Sequence, residues 1–180
     1  MINLTKYYPM HLKTSLLLLL VTPFVFGQAK QSKELSILNK TDFKITYSSD
    51  LKLDESGKDG MVFLLLTEKT DSEDNFIENI NLIKQDLENL DIDLDKFVAI
   101  TEKQIIERGK LVDSKRLKRN GMEYQRLVCE VFLHNFDLKF LQYDFVKNNK
   151  AYVLTFSAKI DVFEKYLKTI EPVMKSFTLK

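Results

Sequence analysis

The sequence predicts an α+β fold in which a central, mainly antiparallel sheet carries helices on both faces. Three observations predict it. Met61 to Thr67 is almost continuously apolar, the pattern of a strand buried on both faces, and such a strand needs helices on both sides. Asn120-Gly121 and Asn148-Asn149-Lys150 interrupt alternating segments, and Asn and Gly tolerate the positive φ that tight antiparallel hairpins require. Phe163, Leu167, Ile170, Met174 and Phe177 recur at helical spacing, so the chain closes with a helix bearing one apolar face.

Taken in order, residues 1–29 precede the fold. Lys6, His11 and Lys13 form a cationic start, and Ser15 to Phe26 is an apolar run of roughly twelve residues, too short to span a bilayer comfortably. Gly27-Gln28-Ala29 supplies small residues for cleavage near Ala29. Met10 to Ala29 is a complete signal peptide by itself, so Met10 is an alternative start. The only cysteine, Cys129, lies far downstream, so lipid anchoring is not expected. Export is expected in a soluble form, periplasmic or secreted, with no stable membrane span once the signal is removed. Lys30 to Lys40 is expected to be a flexible leader and residues 41–180 a single domain. Lys6 and Lys13 are two of the 27 basic residues, and no acid accompanies them, so the remainder carries 25 basic against 26 acidic residues. That balance gives no global attraction to nucleic acid or to an anionic membrane. A lone cysteine excludes an internal disulfide.

Phe43, Ile45 and Tyr47 alternate with Lys44 and Thr46, giving a first strand, and Asp50 to Gly60 is a charged loop. Ile77 to Gln85 alternates again, with Ile80 and Leu82 inward. Asp91, Asp93 or Asp95 can cap a helix through Leu94, Phe97, Val98 and Ile105, stopped by Gly109. Leu111 to Arg119 and Met122 to Leu133 form a hairpin about Asn120-Gly121; Leu127, Cys129, Val131 and Leu133 share one face. Leu141, Tyr143 and Phe145 mark one strand, and Tyr152, Leu154 and Phe156 its antiparallel partner. Asp161 is the expected N-cap of the last helix, with Glu164 in capping-box spacing. Pro172 is expected to kink or restart that helix.

Phe76-Ile77-Glu78-Asn79-Ile80-Asn81-Leu82 resembles the F-x-x-N-hydrophobic-N-hydrophobic strand of the PsbP-like superfamily, which includes the DcrB-like envelope proteins and the Ran-binding protein Mog. Asn120-Gly121, Ala151-Tyr152-Val153-Leu154-Thr155-Phe156-Ser157-Ala158 and Met174-Lys175-Ser176-Phe177 follow in the same order. The resemblance spans about Thr41 to Leu179 and implies an α/β/α sandwich. The chain departs from many relatives at Leu51 to Leu53, where they carry an aromatic residue. The superfamily is mostly accessory and binding proteins, so the resemblance carries no catalytic residue here.

Candidate chemistry is sparse. His134 sits beside Asn135 at a hairpin tip, with no partner nucleophile or orienting carboxylate in the pattern. Cys129 and His134 are five residues apart on one extended strand, roughly 16 Å, beyond reach of each other. Asp71-Ser72-Glu73-Asp74-Asn75 and Asp91-Ile92-Asp93-Leu94-Asp95 suggest calcium loops. The first has Phe76 and Leu82 where the glycine and the closing glutamate belong, and the second has Lys96 where the glycine belongs. No Gly-rich phosphate loop occurs, and neither metal nor cofactor is expected. Lys115, Arg116, Lys118, Arg119 and Arg126 form the one basic patch. Alternation puts Lys115 and Arg119 on one face and Arg116 and Lys118 on the other, so a solvated hairpin arm is the default and a surface for an acidic partner or anionic polymer the sharper reading. Phe140 falls on the wrong side of the pleat from Leu141, Tyr143 and Phe145, and such residual aromatics fit a second helix layer, a pocket or a partner surface. The sequence thus points to a non-catalytic exported binding or accessory module of the cell envelope, acting on an envelope protein and not on nucleic acid. The alternative is a carrier of a small apolar or amphipathic ligand in a cavity between sheet and helix.

Overall fold

A computed structural model describes residues 34–69, 72 and 75–180. The expected signal peptide and most of the Asp71 to Asn75 cluster lie outside the described residues. The described residues belong to one compact unit. Its strands and helices run β1 (Leu35–Asn39), β2 (Phe43–Ser48), β3 (Lys52–Asp54), β4 (Met61–Leu66), β5 (Asn79–Asp86), α1 (Leu94–Arg108), β6 (Gly109–Arg119), β7 (Met122–Leu133), β8 (Phe136–Lys147), β9 (Lys150–Lys159), α2 (Ile160–Ser176) and β10 (Thr178–Leu179).

The strands form two sheets rather than the single sheet expected. Seven run in the order β3-β4-β5-β9-β8-β7-β6, and β1-β2-β10 make a separate three-stranded sheet. Every pairing is antiparallel. Strands β6 to β9 are a meander joined by two-residue turns: Asn120-Gly121, His134-Asn135 and Asn148-Asn149, all six residues at positive φ. That is the type I′ geometry whose twist matches the flanking strands.

One face of the large sheet is wholly apolar at its centre. Leu65, Ile80, Leu82, Leu141, Tyr143, Leu154 and Phe156 are each 0 % exposed. Two elements seal this face: α2, through Phe163, Ile170, Val173 and Met174, and β2, through Phe43, Ile45 and Tyr47. Phe177 joins them, its ring centroid 5.5 Å from Phe43 and 5.3 Å from Phe145. The Thr46 N–H donates to Ser176 Oγ at 2.9 Å, which pins the end of α2 to β2. Helix α1 lies on the opposite face, against β6, β7 and β8.

Several local expectations are corrected. Lys30 to Lys40 is not all leader, because Leu35–Asn39 pairs with β2 and Leu38 is buried. Asp50 to Gly60 contains the short edge strand β3 and a single 3₁₀ turn at Lys58–Gly60. In β4 only Phe63 and Leu65 are buried; Val62, Leu64 and Leu66 are half-buried, so this strand is sealed on one face rather than two. The N-cap of α2 is Lys159, without a side-chain cap bond, and Asp161 lies in the first turn, where its charge favours the helix N-terminus. Pro172 sits inside α2, which runs on to Ser176. Its exposed position lets water satisfy the carbonyl that loses its donor.

Gly109 joins α1 to β6 without a loop. A Cβ there would collide with the Glu130 carbonyl oxygen and come within 2.8 Å of Val131 Cγ1. The position needs glycine because two backbones approach closely, not because of its φ, which is extended. Gly109→Ala is therefore expected to cost about 1–3 kcal/mol in urea unfolding; an unchanged midpoint and slope would contradict this close approach.

Candidate functional site

The α1-facing side of the large sheet differs in kind from the sealed side. The register sets Leu111, Cys129, Phe140, Ser157 and Asn79 in one row across the strands. Ser114, Leu127, Gln142, Thr155 and Asn81 form the next, and Arg116, Gln125, Asp144, Val153 and Ile83 the third. Each row mixes apolar with polar side chains. Phe140, on the wrong side of the pleat for the sealed core, belongs here.

Helix α1 is placed over these rows by three local devices. Asp93 caps it, accepting from the Lys96 N–H at 2.9 Å. Phe97 packs with Leu87 and Ala151, supported by Val153. A polar chain ties its β6 flank to the sheet. Arg116 Nη2 donates to Asp95 at 2.5 Å and Arg116 Nε to Gln125 Oε1 at 2.9 Å. Gln125 Nε2 then donates to Ser114 Oγ at 2.5 Å, and Ser114 Oγ to Glu102 of the helix.

The other flank of α1 stands off the sheet and leaves a cleft of about 690 Å³. Phe97, Thr101, Gln104, Ile105 and Arg108 line it from the helix; Cys129, Val131, Phe140, Gln142 and Val153 line it from the strands. The helical contributors lie three or four residues apart, hence on one stripe. The cleft opens to solvent, and its rim is apolar: Ile100 is 45 %, Leu133 45 % and Phe132 67 % exposed.

Asp144 lies beside this cleft, fully buried. Gln142 Nε2 donates to its Oδ1 at 2.8 Å, while Oδ2 has no hydrogen-bond partner among the described residues. Burial pushes its carboxyl up to about 7, against the opposing pull of Gln142 and the Thr101 hydroxyl of α1. The Cys129 thiol, which lines the cleft, is pushed up to about 11 by burial, with Asp144 and Glu130 adding to it. It stays protonated and packs as a small apolar group.

The residues of the basic patch divide between the two faces of the sheet. Arg116 and Lys118 point to the α1 side, Lys115, Arg119 and Arg126 to the other. Arg116 is committed to Asp95 and Gln125, and Lys118 lies 4.0 Å from Glu123. Arg126 pairs with Asp113 at 2.7 Å. Arg119 donates to the Phe177 carbonyl and lies over the Tyr124 ring. Four of the five are thus engaged within the domain. The turn at His134 follows directly on β7, which carries Cys129, so extended backbone separates the two. Of the Asp91 to Asp95 cluster, Asp93 caps α1, Asp91 pairs with Lys96 and Asp95 with Arg116. No group of three His, Cys, Asp or Glu suited to a metal occurs among the described residues, and none of their helices is long and apolar enough to cross a membrane.

An antiparallel sheet with one helix on each face, and a small sheet beside the C-terminal helix, defines the class: this is a PsbP-like fold, an α/β/α sandwich. Solved structures that share it include three from different bacteria. Cyanobacterial PsbP (CyanoP) from Synechocystis aligns with TM-score 0.59 at 13% identity, over 88% of this chain and 100% of that one. LpqN of Mycobacterium tuberculosis, described as involved in cell envelope biogenesis, aligns with TM-score 0.62 at 13% identity, over 83% and 92%. PA94 of Pseudomonas aeruginosa, of unknown function, aligns with TM-score 0.56 at 9% identity, over 79% and 95%. At these identities the likeness is one of fold. No family model matches the sequence, and no curated protein matches it.

The buried carboxyl yields a pH prediction. The folded pKa of Asp144, about 7, exceeds the ordinary 3.8, so the native state holds this proton more tightly than the unfolded chain. Its contribution to stability is greatest near pH 4 and declines as pH rises to 7. Asp144→Asn should remove that decline, making the variant more stable than wild type at pH 8 by an amount on the order of a few kcal/mol. Parallel stability curves for the two proteins between pH 4 and pH 8 would contradict the assignment.

Proposed function

We propose that this protein is an exported, non-catalytic binding module of the cell envelope, and that its binding element is the cleft beside α1. The observation that carries the reading is that cleft: about 690 Å³, walled by apolar side chains, and open to solvent along an apolar rim. Its size falls in the range of small-molecule sites, which are mostly apolar with a few placed polar groups. Gln142, Thr101 and Gln104 are those groups here.

This geometry favours a carrier of a small apolar or amphipathic ligand over a module that acts only by protein contact. The basic hairpin is a weaker basis for partner capture, since four of its five cations already have partners in the domain. Two further observations support an envelope setting: the signal-like residues 1–29 and the shared fold of LpqN, itself described as involved in cell envelope biogenesis. The catalytic reading has the least support, because the protonated Cys129 thiol and the turn residue His134 are not placed to act together.

Native mass spectrometry of protein purified from its own cells tests this. The expected result is a small bound mass that is lost in Gln104→Trp, which fills the cleft from the helix surface. A bare chain that co-purifies only with another protein would overturn the carrier reading.

A further inference from the structure

The cleft is chemically asymmetric along its length, and the asymmetry specifies a ligand. Among the described residues, Arg108 is the only charged side chain in the lining; the Cys129 thiol is protonated. It is exposed and has no ion pair among the described residues. Gln104, one helical turn earlier, adds amide N–H donors on the same stripe. Gly109 pairs with Val131, so the register fixes Arg108 at the end of the cleft where Phe132 and Leu133 form the exposed rim. At the other end Phe97 is buried against Leu87 and Ala151. Eleven residues of helix separate Arg108 from Phe97, roughly 16 Å of groove. Between them the walls are Ile105, Phe140, Val131 and Val153, with no acidic residue in the lining.

We propose that the cleft takes a single-chain amphiphile with a monoanionic head group. The head is met by Arg108 and Gln104 at the open rim, and the tail lies along α1 toward Phe97. A lining with one unpaired cation and no acid attracts an anion and repels a cation, while the long apolar walls reward burial of an unbranched tail. Phosphate or carboxylate alone would find one solvent-exposed arginine and gain little. An uncharged hydrocarbon would leave Arg108 unused. This inference rests on the cleft being the binding element.

The experiment titrates delipidated protein with dodecanoate, dodecanol and dodecyltrimethylammonium by calorimetry at low salt, with inorganic phosphate as a fourth ligand. Dodecanoate is expected to bind about tenfold more tightly than dodecyltrimethylammonium, with dodecanol between them and phosphate undetected. Arg108→Glu, a change on an exposed helix position, should abolish or reverse that order, with a retained cooperative melting transition as the check on folding. Equal affinity for all three tails, or an order that survives Arg108→Glu, would overturn the head-group assignment and leave the cleft reading standing. No binding of any tail to folded protein would overturn both.

Discussion

The structure depends on a mismatch of widths. Seven strands at their usual spacing span roughly 29 Å, whereas a helix with its side chains is about 10–12 Å across. One helix cannot seal such a sheet. On the α2 side the problem is solved by adding a second sheet, β1-β2-β10, beside the helix. There the apolar residues of β4, β5, β8 and β9 meet α2 and β2 in one continuous core. On the α1 side nothing equivalent occurs among the described residues, and α1 lies over β6, β7 and β8. The strip beside it is therefore left accessible, and its side chains are mixed in polarity.

The two faces are held by different physics, and that difference determines where binding can occur. The sealed face is stabilised by burial of large rings, with Phe177 bridging Phe43 and Phe145. Helix α1 has a small apolar anchor, Phe97 with Val98 also buried, and is fixed on its β6 flank by the chain from Asp95 through Arg116, Gln125 and Ser114 to Glu102. Partly exposed polar bonds of this kind are individually modest. They set the position of the helix without closing it onto the sheet. Arg116 is thus better understood as a brace for α1 than as a partner-seeking surface charge. A buried, half-satisfied Asp144 beneath the same helix fits a face shaped by something other than maximal stability.

Much of the fold was legible because local chemistry and global structure agree. Asn120-Gly121 and Asn148-Asn149 form the turns their φ preferences suggest, and Gly109 ends α1. Alternation gave the inward residues of β2, β5, β8 and β9 correctly. The second sheet was not legible, because alternation in Phe43 to Tyr47 shows that a strand is half-buried but not which strands it joins. Leu35–Asn39 was hidden by its polar flanks, although Leu38 is buried. For the site, Phe140 on the wrong side of the pleat was a true signal of a second packing layer. Gln142 and Asp144 were not, since polar residues alternating with Leu141, Tyr143 and Phe145 read as a solvated face. The position of α1 leaves Gln142 half-buried in the cleft wall and Asp144 fully buried. For the basic hairpin, sequence adjacency conceals that Asp95, Asp113 and Glu123 lie within ion-pair distance of its charges.

The most direct measurement is the location of a bound tail by NMR, from contacts between labelled protein and an alkyl ligand such as dodecanoate. The account predicts contacts to Phe97, Ile105, Phe140 and Val153, with the α2 face undisturbed. Contacts clustered instead around α2 and β2, or spread over the β6–β7 hairpin, would contradict it.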